Sequence, residues 1–347
     1  MKHCYINGIG CVSAQNTTDY QTFLDGCTEL QKNVVKVFKP NYRDFIKPAM
    51  IRRMAAGVKN GVVAANIALK EANIEKPDAI ITGTGMGCMV DSEKFLKTIL
   101  DNDEQFLTPT AFIQSTHNTV GGQVALGLKC KAYNVTYVHD ATSFESSLID
   151  ALLMINEEDN VLVGGIDEIG EHTTNMFKLI GYVKADDVIN TNTQGAVFSE
   201  GAQFFSLSNK KNSNSYAELV DVAIFDTINT ALVPNKLIDF LKENNLNIED
   251  IDLVVLGNNG DVNYDNIYKN LQNGILKNTA QAYYKHLSGE YNTASAFGLW
   301  LAANICKQQT IPKIVQLNNK VTNSINNVLL YNQYRGKNHS FTLIKSC

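Results

Sequence analysis

Little in this sequence points to a special environment. It holds one tryptophan and six prolines, and no stretch approaches the roughly 18 apolar residues of a membrane span. Its seven cysteines are odd in number, contain no CxxC pair and lack histidines at metal-ligand spacing, so reduced structural thiols are expected rather than disulfides or a metal site. Charge of one sign is also scarce. Thirty basic and 35 acidic side chains leave a net charge of -5, and the lysines and arginines are scattered, which argues against a nucleic-acid partner. The N-terminal MKHCYINGIGCVSAQNT lacks the apolar core and cleavage site of a signal peptide, so a cytoplasmic location without a membrane is expected.

What is present is a large apolar fraction, 44%, enough for one large core or two fused α/β lobes. Tyr5–Cys11 reads as a strand and Tyr20–Leu30 as a helix. Apolar residues from Met50 to Ala72 fall near a 3.6-residue period and predict one long half-buried helix, followed by a buried strand over Asp78–Gly83. The order recurs as strand Asn134–Val138, helix Ser143–Asn156 and strand Asn160–Gly164. Strands alternating with helices predict parallel sheets covered on both faces. The polar run Asn209–Tyr216 is the candidate joint between halves, and IDLVVL (251–256), Thr293–Cys306 and Ser340–Ile344 read as strand, helix and strand. No repeat by identity is seen, but the halves 1–208 and 209–347 have similar element order, expected to form one compact two-lobed unit.

Two motifs invite chemistry. GTGMGC (83–88) is spaced GxGxG, not GxGxxG, and no acidic residue follows at the end of a second strand, so a dinucleotide site is not expected. His139 and Asp140 read as a hydrogen-bonded turn rather than a metal or base pair. That turn lies between VTYV and the helix SFESSLIDALLMI, where a strand feeding into a buried helix commonly displays a nucleophile.

Five ordered stretches resemble the β-ketoacyl synthases of the thiolase superfamily: YINGIGCVSAQNT, IRRMAAGVKNGVVAANIALKEANI, TGTGMG, LVGGIDE and GAVFSEGAQFF, the last with Ser199 at the family's first inner glycine. The resemblance implies a five-layered αβαβα fold of two similar halves with mixed central sheets. In that family the turn carries a cysteine, because a helix N-terminus favours thiolate and turn amides can receive an oxyanion. Laid without a gap, its place here is Ala141. The family's two histidines fall on Gly257, in GNNGD for HGTxT, and on Glu290, in KHLSGEYNTASA for KxxxGHxxGAxG; Lys285 and Gly289 match. The GFGGxN loop appears as NQYRGKN, with Tyr334 for the gating phenylalanine, Arg335 for a glycine, and Asn338 kept.

The resemblance therefore implies a chain without intact catalytic residues, in the pattern of the chain length factors that pair with an active ketosynthase and shape its acyl tunnel. A ketosynthase or a second copy is the expected partner, with acyl carrier protein a further candidate and no cofactor. Phe112, Ile113, Phe144, Tyr334 and Asn338 are the expected substrate or tunnel positions. Alternatives are an enzyme using Thr142, Ser143, Cys130 or Cys88 as nucleophile, and a stand-alone acyl- or carrier-protein-binding homodimer.

Overall fold

The computed structural model describes residues 2–18, 23–185, 193–320 and 324–347. Its ten strands are β1 (Tyr5–Val12), β2 (Ala79–Gly83), β3 (Tyr133–Tyr137), β4 (Asn160–Asp167), β5 (Gly201–Ser208), β6 (Ala217–Asp226), β7 (Leu253–Leu256), β8 (Ala280–Tyr283), β9 (Asn327–Tyr334) and β10 (Asn338–Lys345). The helices are α1 (Pro48–Ile51), α2 (Ala56–Ala72), α3 (Met89–Asp101), α4 (Pro109–Ser115), α5 (Thr119–Leu128), α6 (Ser143–Met154), α7 (Glu171–Leu179), α8 (Val233–Glu243), α9 (Asp265–Asn273), α10 (Lys285–Ser288) and α11 (Ser295–Gln308).

The strand order β3-β2-β4-β5-β1-β6-β10-β9-β7-β8 contains a duplication. In each half the third, second, fourth, fifth and first strands lie side by side. The second strand is parallel to the third and fourth, and the fifth runs antiparallel to the fourth and first. The halves meet where β1 pairs briefly with β6, through Tyr5 with Glu218 and Ile6 with Ala217. The sheets are therefore mixed rather than all-parallel, because the fifth strand of each half returns antiparallel beside the first.

Three apolar clusters give the layers. α6 and α11 supply Phe144, Leu148, Phe297, Trp300 and Leu301 to the middle cluster, between residues of both halves' strands. α2 packs on the outer face of the first sheet and α8 with α9 on that of the second, which makes five layers. Close approach explains the glycines of β1: a Cβ at Gly10 would lie 1.9 Å from the Ala64 carbonyl oxygen of α2. α2 ends at Asn73, whose left-handed backbone (φ 58°) lets its N–H reach the Leu69 and Lys70 carbonyls.

Two sequence expectations need correction. The helix over Met50–Ala72 is broken between Ile51 and Ala56. Of the helix expected at Tyr20–Leu30, residues 20–22 lie outside the described ones, and Phe23–Leu30 is turn and coil. There Leu24 and Gly26 have positive φ, and the Gln15 side chain takes both backbone groups of Thr28, bonds a helix would have supplied.

Candidate functional site

β3 leads into a tight 3-10 turn, Asp140–Thr142, and then directly into α6. Asp140 carries the turn in the left-handed region (φ 52°), and its carboxylate accepts from the Asn292 amide on the opposite half. Burial raises the Asp140 carboxyl. Ala141, at the turn's centre, is 2% exposed.

The neighbouring hydroxyls are committed to the turn. Thr142 Oγ1 donates to the His139 carbonyl (2.9 Å), and Ser143 Oγ donates to the Asp140 carbonyl (2.7 Å) while accepting from His139 N–H (2.8 Å). His139 Nδ1 faces Ser146 Oγ (2.9 Å) instead of either hydroxyl, so neither has a base in hand. Burial and the nearby Glu168 carboxylate push the Cys88 thiol well above the ordinary range, which removes its nucleophilic form. Cys130 lies outside this turn and faces the Pro77 carbonyl.

The Gly257 position, after β7, has no room for a side chain. An added Cβ would meet Asn332 Oδ1 at 2.5 Å, Tyr268 OH at 2.6 Å and Tyr284 OH at 3.3 Å. Each of these groups is held: Tyr284 OH donates to Asn332 Oδ1 (3.1 Å), and Tyr268 OH bridges the Gln333 backbone by donating to its carbonyl and accepting from its N–H. Sequence reasoning missed this cage, because nothing in the spacing of two tyrosines and an asparagine places their polar ends at one point.

Glu290 is neither free nor alone. Lys285 Nζ lies 2.9 and 2.8 Å from its two carboxylate oxygens, and Asn259 Nδ2 donates to Oε2 at 2.6 Å. Both ionic partners are buried, so the pair's attraction acts at short range in a low dielectric. Gly289 precedes it at φ 71°, where a Cβ would strike Ser199. Ser199, at the family's glycine place, ties in through Oγ to the Val35 carbonyl and N–H to the Glu290 carbonyl. His286 does not fill the histidine role: it stacks on Tyr283 at 3.7 Å, and burial lowers it to about 4.

The glycine-rich loop has a structural use. Asp167 Oδ1 accepts from Thr84 Oγ1 and the amides of Gly85 and Met86, while Oδ2 accepts from the Thr293 amide and hydroxyl. The amides of Gly85 and Met86 are thus spoken for, and a Cβ at Gly85 would overlap Asn292. Asp167 joins the two halves beside the turn, a role its place in GGIDE did not disclose.

Above the turn lies a cavity of about 380 Å³, with Asp140, Asn292, Tyr334, Arg335 and Asn338 in its lining. Asn338 also donates to Asp226 (2.8 Å). Burial above all, and then the charges of Glu290 and Asp140, raise the Tyr334 hydroxyl. Of the expected site residues, Tyr334 and Asn338 line this cavity, whereas Lys285 lines a separate one with Asn258 and Asn259. Phe144 does not line the cavity above the turn: it is fully buried, with its ring tilted against that of Phe205 at 5.7 Å in the middle layer. Phe112 and Ile113 lie elsewhere, on α4, 57% and 50% exposed rather than in the chain's own core.

Residues 28–177 match the model of the β-ketoacyl synthase N-terminal domain. No curated protein matches the sequence. The whole chain superposes on solved structures at low identity. A chain of the ishigamide ketosynthase/chain length factor has a TM-score of 0.82 and 17% identity, over 100% of this chain and 99% of that one. A chain of the ketosynthase ApeO in complex with its chain length factor ApeC, from Xenorhabdus doucetiae, has 0.78 and 14%, over 100% and 98%. A chain of AntDE:AntF, a type II PKS acyl-carrier protein in complex with its ketosynthase, has 0.76 and 14%, over 100% of both. The resemblance read from the sequence therefore holds. The family-model match over residues 28–177 and the superpositions over the whole chain agree on the fold, which is that of these ketosynthase structures.

Proposed function

We propose that this chain is a non-catalytic ketosynthase homologue of the chain-length-factor kind, which pairs with an active β-ketoacyl synthase and shapes its acyl tunnel. The observation that carries this reading is the state of the three chemical positions inside a retained fold. Ala141 offers no nucleophile, Gly257 is walled in by Tyr268, Tyr284 and Asn332, and Glu290 is held by Lys285 and Asn259. Such a site cannot hold an acyl thioester or stabilise an enolate, whereas a tunnel wall needs only shape and apolar lining.

Pairing is supported by two exposed features, the edge strand β3 and the apolar surface of α3 and α4. α3 has no buried residue, and Leu100 (79%), Phe106 (85%), Phe112 and Ile113 are exposed on or beside α3 and α4. An apolar area of this kind on a monomer fits an interface. Proteins with similar folds are ketosynthases solved with a chain length factor or with an acyl-carrier protein, which makes those the partner classes to test. The reading is tested by co-expressing the chain with a cysteine-bearing ketosynthase of the same genome and measuring the mass of what co-purifies. A one-to-one complex that elongates malonyl units is expected, with this chain inert alone. A stable homodimer that ignores the ketosynthase would overturn it in favour of a stand-alone binding protein.

A further inference from the structure

A further cavity, of about 540 Å³, lies between α3 and α7 and shares no lining residue with the one above the Asp140–Thr142 turn. Its size suits a small ligand. Both helices turn one stripe to it: Val90, Glu93, Lys94 and Lys97 of α3, and Glu171, Thr174, Asn175 and Lys178 of α7, each at the i, i+3, i+4, i+7 spacing of a helical face. One contact joins the two walls. The Glu93 carboxylate accepts from the backbone amides of His172 (3.1 Å) and Thr173 (2.8 Å), N–H groups that the first turn of α7 leaves unpaired. A side chain at Gly170 would prevent this, since its Cβ would lie 2.1 Å from Glu93 Oε1.

What the cleft presents otherwise is amphipathic. Val34, Val90 and Ile169 supply apolar surface, and Val90 is 44% exposed. Four lysines line the cleft against two carboxylates, Glu93 and Glu171, in a chain of net charge -5. Lys36 and Lys97 pair with Glu200 and Asp101, whereas Lys94 and Lys178 have no ion pair among the described residues. We propose that the cleft between α3 and α7 binds an aliphatic carboxylate, its chain lying on Val34, Val90 and Ile169 and its anionic head meeting Lys94 and Lys178. A purely apolar ligand would leave the lysines unused, and a small anion would leave the apolar surface in water. The inference stands whichever partner the chain takes, because the cleft is separate from the positions of Ala141, Gly257 and Glu290.

Isothermal titration of the full chain at low salt, with octanoate, decanoate and decylamine, tests the site. Decanoate should saturate one site and bind about tenfold more tightly than octanoate, as expected for two further buried methylenes. Decylamine, with the same chain and the opposite charge, should bind at least tenfold more weakly than decanoate. Lys94→Glu combined with Lys178→Glu, and separately Val90→Asp, should each weaken decanoate by about tenfold or more while leaving the denaturant midpoint unchanged, since all three positions are exposed. Failure of decanoate to saturate would overturn the proposal. So would equal binding of decylamine, which would mean an apolar patch without head-group recognition, or an affinity that these variants leave unchanged, which would put the ligand elsewhere. Loss of ketosynthase pairing in the lysine variant without any decanoate binding to the parent would make the cleft a protein contact and overturn it as well.

Discussion

At position 257 even a methyl group would lie 2.5 Å from Asn332 Oδ1 and 2.6 Å from Tyr268 OH. Ala141→Cys should therefore restore no elongation, because it returns a nucleophile while Gly257 and the Lys285–Glu290 pair stay as they are; measurable condensation by that variant would show that another residue supplies the missing donors. Gly257→His should lower stability by ~3 kcal/mol, read as a loss of denaturant midpoint, because the tyrosine cage must be displaced. A third residue carries a pH signature. Burial, with the Glu200 carboxylate nearby, pushes the Glu168 carboxyl up to about 7. The folded protein then keeps a proton that the unfolded chain releases in the ordinary glutamate range. Its contribution is complete below that range, declines as pH rises and is lost by about pH 7. Glu168→Gln should accordingly be more stable than the parent at pH 8 by roughly 2 kcal/mol, with the difference vanishing toward pH 4. Guanidinium unfolding at the two pH values checks it.

Among elements, α3 and α4 carry apolar side chains that the chain itself does not absorb, as α7 does at Met176 and Leu179. Phe95 and Phe112 meet each other (5.8 Å), yet Phe112, Ile113, Leu96 and Leu100 remain exposed. Phe112→Lys should weaken association with the ketosynthase at least tenfold while leaving the melting temperature of the isolated chain within a few degrees, since an exposed position contributes little to folding. Phe112→Ala should shift the product of the pair toward longer chains, and an unchanged product distribution would count against its placement at a partner's tunnel. Element type was readable wherever periodicity or a buried run was strong, as in α2, α6, β4 and β7. The strands β6 and β8 escaped, because mixed polar and apolar residues there follow the surroundings more than a local period, whereas α9 escaped although Tyr268 and Leu271 fall on one helical face.

In the whole molecule the two halves share one middle layer, made by α6 and α11 with residues from strands of both sheets. Trp300, the single tryptophan, lies in that layer, so its fluorescence and far-UV circular dichroism should report one coincident unfolding transition. Leu148→Ala, which opens a cavity there, should cost ~2–5 kcal/mol and move both signals together; separate transitions would show lobes that unfold independently. The linear order of residues determined the family resemblance, the alternation of strands and helices, and the absence of a nucleophile at Ala141, because periodicity and a turn before a helix are properties of neighbouring residues. Only the tertiary structure decided what occupies the other positions. The tyrosine cage at Gly257, the pairing of Glu290, the approach of Arg335 to the Tyr182 ring and the Asn292–Asp140 contact between residues 152 positions apart all depend on packing. Which distant side chains share a buried point follows from how two sheets and their helices close on one core, and no local pattern encodes it.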